Sequence, residues 1–367
     1  MKSNNFCIIL AGGVGKRLWP VSRQSKPKQF VDFFGVGKSL LQLTFERISA
    51  IVPAENIYIS TCEEYAALAR EQLPQLSEGQ FLLEPVRLST GPAAIRASWH
   101  IARRCPGANI LAMPADQFIT NEMAFRMDVA QAFSYVEQHR SFLALGIKAQ
   151  NPNTAYGYIQ RGRQKGKNLY EVKTFTEKPG RVYAETFVRS GEFLWNTGIF
   201  LWNAGAMQRV GEELLPGLYH TDIIISSNEE ENDIVHSCYP AAERVTLDIL
   251  LLENQNMDIM ECNFGWCDVG SWPVMRNVLP KSAEGNAVVI TPAEELAEEG
   301  KGGRVTFRNS HNTIVSVPEG VATLVQGLDG YLVALKGNVL VVIPNDDPAR
   351  IKSVVTEVQV KYGEEYL

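Results

Sequence analysis

Two kinds of residue in this chain of 367 suit phosphate chemistry. The first is a glycine turn set among cations. Gly12, Gly13 and Gly15 follow the apolar run Phe6 to Ala11 at once, and Lys16, Arg17 and Lys28 come next. Glycine has no Cβ, so such a turn brings backbone N–H groups close to an anion. With Leu10 and Ala11 at its entrance, the stretch reads as a cradle for a polyphosphate. The second kind is carboxylate. Asp116 sits in Pro114-Ala115-Asp116-Gln117, and Asp268 in Gly265-Trp266-Cys267-Asp268-Val269-Gly270-Ser271-Trp272. Mg²⁺ commonly uses one or two carboxylates and completes its shell with phosphate oxygens and water.

Each feature has a plainer reading. A dinucleotide fold wants G-x-G-x-x-G opening a helix, but Trp19-Pro20 breaks the chain soon after these glycines. The P-loop pattern G-x-x-x-x-G-K-[ST] is absent. A structural turn with solvated Lys and Arg remains, although glycines and cations seldom cluster this way behind a first buried strand. Asp116 would also serve as the N-cap of a helix near Met123, and Asp268 as a turn residue. Glu177-Lys178-Pro179 and Trp195-Asn196-Thr197-Gly198 would by themselves be a surface ion pair and a turn before a strand.

The elements that must position these groups alternate. Phe6 to Ala11, Asn56 to Ser60, Phe81 to Leu83, Asn109 to Met113 and Phe142 to Ile147 read as buried strands. Helical patterns lie between them. Ser39-Leu40-Leu41-Gln42 fits a capping box. A helix starts at Gly91-Pro92 and runs toward Arg104. The pattern predicts an α/β fold with a mixed, mostly parallel sheet flanked by helices, and Gly12, Glu84 and Asp116 at carboxyl ends of strands, where ligands bind. Strands are expected at Ala155 to Arg161, Val172 to Glu177 and Gly198 to Trp202, with helices near Val182 to Arg189 and Ala204 to Leu215. Asn228 to Asn232 reads as an exposed acidic loop, and Glu294 to Gly303 as a mobile one. The boundary falls near Pro280: a catalytic domain 1–280, then a small β-rich domain 281–367 with a terminal helix from Pro348 to Val358.

Composition narrows the class. A net charge of −6 argues against a general nucleic-acid surface. The first apolar run is too short for a membrane span. None of the six cysteines forms a C-x-x-C pair, and the five histidines are scattered, so no zinc site is expected. With no secretory signal, free thiols in the cytoplasm are the simplest reading.

A-G-G-x-G-x-R-L-W-P followed by P-K-Q-F resembles the signature of the sugar-1-phosphate nucleotidylyltransferases. The Trp, with P-K-Q-F, most resembles the mannose-1-phosphate guanylyltransferase branch, in its short form without an isomerase domain. The resemblance implies a Rossmann-like nucleotide-diphospho-sugar transferase fold with a short left-handed β-helix, and a homodimer. It implies transfer of GMP from GTP to mannose 1-phosphate, giving GDP-mannose for polysaccharide biosynthesis. Asp116 and Asp268 match family positions that bind Mg²⁺, and Arg17 and Lys28 its catalytic cations. Leu10, Ala11, Gly12, Gly13, Gly15, Lys16, Glu84, Ser89 and Pro114 match nucleotide contacts. Tyr156, Gly157, Glu177, Lys178 and Asn196 match the sugar-phosphate side, with Asp268. Asp248 resembles a neighbouring family Asp, a helix cap being equally open. Guanine presents two adjacent donors and adenine an acceptor in place of one, so the carboxylate of Glu84 suits guanine. Ala155, Ser89 and Gly91 depart from the family pattern. The alternatives are another base, a glucose or heptose phosphate, or a non-catalytic paralogue that senses GDP-mannose.

Overall fold

The structure is a computed structural model that describes residues 4–220, 225, 227–292, 304–347 and 350–367. The expected loop Glu294 to Gly303 lies outside the described residues. The compact units do not follow the expected boundary at 280. One comprises Met1–Gly12, Thr44–Ala115 and Ile119–Trp266; the other comprises Gly13–Leu43, Asp116–Phe118 and Cys267–Leu367. The glycine loop after Gly12 and both aspartates therefore fold with the C-terminal segment. This was hidden in a linear reading because the second unit is assembled from three stretches.

The first unit is built on nine strands: β1 (Asn5–Leu10), β2 (Ile57–Cys62), β3 (Phe81–Glu84), β4 (Asn109–Pro114), β6 (Phe142–Lys148), β7 (Tyr158–Gln164), β8 (Leu169–Thr176), β9 (Phe193–Asn203) and β10 (Met257–Cys262). The short strands β5 (Gln117–Ile119) and β11 (Trp266–Asp268) make a separate two-stranded ladder. The order in the large sheet is β3-β2-β1-β4-β9-β6-β10-β8-β7. β3, β2, β1 and β4 are mutually parallel, and β10 is parallel to β6. β9 and β8 run against their neighbours. β1, β2 and β4 are buried along almost their whole length, so they read as continuous apolar runs. Leu10, Glu84 and Pro114 end their strands at the same edge, as the alternation predicted.

Two elements differ from expectation. Trp195-Asn196-Thr197-Gly198 lies inside β9, not in a turn before it. The pairing with β6 shifts register between Ala144 and Gly146, and Gly198 has φ 70°, so the strand kinks there without ending. The stretch from Asn228 is not a loop but the helix Asn228–Cys238. Ser227 caps it by accepting from Glu230 N, and three glutamates in its first turn suit the positive end of the helix dipole. Its acidity was helix-forming, not merely solvating.

In the second unit β12 (Ala287–Thr291), β14 (Ile314–Pro318) and β16 (Tyr331–Lys336) are parallel neighbours, and β17 (Val339–Pro344) closes that sheet antiparallel. β13 (Arg304–Arg308) pairs in parallel with β15 (Ala322–Gln326). Successive short parallel strands in two sheets are the pattern of a β-helix-like coil. Val315, Val317, Val325 and Val333 fill it. Asn286 ties two turns together: its Nδ2 donates to Ser310 O (2.7 Å) and its Oδ1 accepts from Thr313 N (3.0 Å). The terminal helix is Arg350–Tyr362.

Candidate active site

The second unit holds the glycine loop and both aspartates through aromatic hinges. Trp19 Nε1 donates to Tyr366 O (2.9 Å), and Trp272 Nε1 donates to Trp19 O (2.9 Å). Trp272 thus anchors the backbone of Trp19, and Trp19 in turn anchors Tyr366 near the C-terminus, which ties the Arg17 stretch to the Asp268 stretch. Phe118 packs on Phe34, ring centroids 5.0 Å apart, and holds the segment that begins with Asp116. Asp116 is not an N-cap: Asn121 caps the helix Glu122–His139 by accepting from Ala124 N.

Lys28 is 8% exposed and lies on a short helical turn, Lys28–Phe30. Its ammonium pairs with Asp116 Oδ2, stands 3.9 Å from Asp268 Oδ1, and donates to Val269 O at 3.4 Å. Burial pulls the Lys28 pKa down, but Asp116 and then Asp268 outweigh it and the net shift is upward. Arg17 is drawn to the same place. A Cβ on Gly270 would meet Arg17 Nη2 and Asp268 Oδ2, each at 2.9 Å.

The loop itself is held open. Gln29 Nε2 donates to Gly13 O (2.9 Å), and Ser22 Oγ donates to Val14 O (3.2 Å). Gly15 has φ +69°, and a Cβ there would strike Ser22 Oγ at 2.7 Å and Lys28 Cγ at 2.8 Å. Only glycine meets both demands. Gly13, by contrast, is exposed, with nothing within 4 Å of a Cβ position, so space above it is free for an anion. Lys16 is also exposed.

In the first unit, β1 delivers the start of the loop. Ala11 N donates to Ser60 O (2.8 Å), and Thr61 Oγ1 donates to Ala11 O (3.0 Å). Pro114 ends β4 opposite Leu10. Glu84 lies beneath Gly12, whose Cβ position is 3.5 Å from Oε1. The carboxylate is 5% exposed and already engaged: Ser60 Oγ donates to Oε1 (3.3 Å) and Tyr239 OH to Oε2 (2.7 Å). Burial raises its pKa, which those two hydroxyls and Arg96 only partly oppose. As placed, it lies against Gly12's turn, and the two hydroxyls use two of the carboxylate's four acceptor sites. Ser89 precedes the helix Thr90–Arg104 with φ 78° and ψ −174°, backbone that is essentially reserved for glycine.

Also in the first unit, Gly157, Glu177, Asn196 and Asp248 converge. A Cβ on Gly157 would lie 2.9 Å from Glu177 Oε2 and 2.8 Å from Phe175 Cε2. Asn196 N donates to Gly157 O (2.8 Å), its Nδ2 donates to Asp248 Oδ1, and its Oδ1 accepts from Gly198 N (3.0 Å). Lys178 pairs with Glu177 and has φ 45°. Burial, with Glu177 adding repulsion, pushes the Asp248 carboxyl up against the pull of Asn196. Tyr156 stands edge-on to Trp195 (5.3 Å) and Trp266 (5.0 Å). Asp248 follows the true cap of the helix Leu247–Leu252, Thr246, which accepts from Ile249 N. Sequence reasoning missed Ser60, Tyr239 and the anchoring role of Gln29. Gln29 lay inside the quoted P-K-Q-F, whereas the other two carry no local signal.

The residues present fit a divalent cation. The ammonium of Lys28 stands in for a positive ion reached by two carboxylates. Among the described residues no cluster of three or more His, Cys, Asp or Glu side chains offers a closed metal site. Such an ion would take its other ligands from phosphate and water. The described cysteines are free thiols, and no helix among the described residues is long and apolar enough to cross a membrane.

The profile of the family described as Nucleotidyl transferase matches residues 6–284. The chain is 31% identical over 375 residues to a mannose-1-phosphate guanylyltransferase of Salmonella montevideo, covering 98% of this chain and 75% of that one. It is 28% identical over 366 residues to a putative mannose-1-phosphate guanylyltransferase of Vibrio cholerae, with the same coverage. Among solved structures, one titled as mannose-1-phosphate geranyltransferase from Thermus thermophilus superimposes with a TM-score of 0.83 at 26% identity, covering 97% of this chain and all of that one. With that profile matching residues 6–284, the chain belongs to the nucleotidyl transferase family.

Proposed function

We propose that the protein transfers GMP from GTP to α-D-mannose 1-phosphate, releasing pyrophosphate and forming GDP-mannose in the cytoplasm. The observation that carries this reading is Lys28 held between Asp116 and Asp268 beside the Gly13–Gly15 loop. The near full-length likeness to mannose-1-phosphate guanylyltransferases supports the choice of base and sugar.

The reaction needs no general base. The second pKa of a phosphate monoester is ~6, so the attacking oxygen is already unprotonated at neutral pH. That oxygen forms a bond to the α-phosphorus of GTP while the bond to the pyrophosphate oxygen breaks on the opposite side. The obstacle is repulsion between two polyanions. The amides of Gly13 and Gly15, with Lys16 and Arg17, hold the triphosphate, and Lys28 gathers charge on the leaving side. Asp116 and Asp268 would hold Mg²⁺, which would supply further positive charge against the phosphates. In the sugar site Glu177 and Asn196 receive hydroxyls, Tyr156 forms a wall, Gly157 permits close approach, and Lys178 meets the sugar phosphate. Glu84 and Ser89 belong to the nucleotide side, Glu84 by supporting Gly12.

Incubating the protein with Mg²⁺, GTP and mannose 1-phosphate releases pyrophosphate. A panel of four nucleoside triphosphates against mannose, glucose and heptose phosphates tests base and sugar together. Turnover with another pair and silence with this one would retire the guanine–mannose assignment.

A further inference from the structure

We propose that Lys28 is an exchangeable internal counter-ion. In the nucleotide-free protein its ammonium holds the position between Asp116 and Asp268, and a divalent cation enters only when nucleotide phosphates draw Lys28 away. The proposal rests on the transfer reading for the identity of the incoming phosphates.

Three observations and one physical argument carry it. The ammonium has three donors and three oxygens around it: Asp116 Oδ2, Val269 O and, more distantly, Asp268 Oδ1. A second positive ion at that point would meet the ammonium at close range, where like charges repel strongly. Arg17 Nη2 stands on the Oδ2 side of Asp268, around Gly270, so both cations flank one carboxylate. The stem of Lys28 is pinned: its Cβ and Cγ lie 3.1 and 2.8 Å from the Cβ position of Gly15.

The pinned stem matters most. Cβ and Cγ stay against the loop while the outer torsions of the side chain remain able to turn. Rotation there carries Nζ from the aspartates toward the loop amides and the open space over Gly13 without moving the backbone. A triphosphate on the loop offers Lys28 more negative charge than two carboxylates do. Its departure uncovers Asp116 and Asp268 as the nucleotide's own cation arrives. Charge is conserved at each stage, and the aspartates are never left facing each other without a positive partner. The free protein therefore binds divalent cations only weakly, and metal and nucleotide enter as one unit.

The test is a titration of nucleotide-free protein with Mn²⁺, read by loss of the free-ion paramagnetic resonance signal. Wild type binds Mn²⁺ weakly. Lys28→Met binds it at least about tenfold more tightly, because one opposing unit charge near 4 Å has gone. Adding Asp268→Asn to Lys28→Met removes the gain. If Lys28→Met does not fold, Lys28→Gln, which still donates to Asp116, carries the same comparison. Equal Mn²⁺ affinity in wild type and the Lys28 variant overturns the exchange. Pyrophosphate release by the wild type in the same preparation separates the two claims. Release with equal affinities removes the exchange and leaves the transfer standing; no release removes the transfer whatever the titration gives.

Discussion

Two clusters of buried charge in this protein have opposite characters. Around Lys28, two carboxylates share one ammonium beside an exposed glycine turn. In the first unit, one carboxylate, Glu231, is surrounded by Arg96, His100 and Arg104. His100 and Glu231 are 2% and 3% exposed, and Arg96 1%. Among the described residues, Arg96 Nε and Nη1 have no hydrogen-bond partner. The first cluster sets two carboxylates and the cations Lys28 and Arg17 beside open space, which is a place for an incoming cation and anion. The second buries Glu231, His100 and Arg96, with Arg104 at its exposed rim, and joins the helix Thr90–Arg104 to the helix Asn228–Cys238. Charge and burial alone do not mark a catalytic site; an opening does.

The largest difference should appear on removing a carboxylate from each. Asp116→Ala or Asp268→Ala lowers kcat on the order of a hundredfold or more, as expected for a contact made at the transition state, and leaves urea unfolding little changed. Glu231→Ala does the reverse. It takes from His100 its buried partner and from Arg96 and Arg104 their shared carboxylate, which costs about 3–5 kcal/mol of stability for a broken buried pair, while kcat per folded molecule is retained. Activity loss in Glu231→Ala at full stability would erase the distinction.

A pH titration of stability sharpens it. Burial lowers the His100 pKa, and Arg104 and Arg96 act in the same direction against the pull of Glu231; Tyr58 meets the ring edge-on at 5.1 Å. Below about pH 6.5 the unfolded chain takes up a proton on this histidine before the folded protein does. Stability therefore falls as pH drops through that window, by at most ~1.4 kcal/mol per pH unit for one proton. Glu231, whose pKa is lowered by His100 and the two arginines against its burial, adds a further loss as pH falls below about 4.3. His100→Gln flattens the upper part of the curve, measured by urea midpoints from pH 7.5 to 4.5. An unchanged slope would show that other groups carry it.

Glu84 lies between the two characters: sealed like Glu231, yet next to the glycine loop. Glu84→Gln keeps the shape but loses the charge that receives Tyr239 and Ser60. A loosened Gly12 turn lowers kcat/KM about ten- to hundredfold, in the range expected for misplacing a phosphate cradle, and by the same factor for GTP and ATP. A selective loss of GTP preference would return Glu84 to the role of base reader.

Much of this was legible in the chain. Alternating apolar runs placed β1, β2, β3, β4 and β6, and the capping box at Ser39 and Gln42 forms as read, Ser39 N to Gln42 Oε1 at 2.9 Å and Gln42 N to Ser39 Oγ at 3.2 Å. Local chemistry sufficed there. What was not legible depends on long-range partners. Glu231 looked like solvated acid because nothing near it in sequence reveals His100, 131 positions away. Trp195 to Gly198 looked like a turn because the bulge that keeps it in β9 is set by the strand beside it. The compact units could not be read because residues 13–43 and 116–118 join the C-terminal segment through Trp19, Trp272 and Phe118.

The smallest expected effect lies on the helix that bears Arg96 and His100. Its interior belongs to the sealed cluster, while its first residue follows Ser89, held in backbone suited to glycine. Gly91 N donates to Val245 O (3.0 Å) and Leu247 N donates to Thr90 Oγ1 (2.8 Å), so the helix start is clamped and Ser89 absorbs the misfit. Such strain costs ~1–3 kcal/mol, and glycine would relieve it while adding ~0.4–1 kcal/mol of unfolded-chain entropy. Ser89→Gly should therefore stabilise the protein by about 1 kcal/mol in urea unfolding. If Ser89 contacts the nucleotide, the same variant raises the KM for GTP and leaves that for mannose 1-phosphate alone. Stability gained with no change in either KM would make the strain a consequence of the clamp, and would assign this end of the helix to the structural cluster as well.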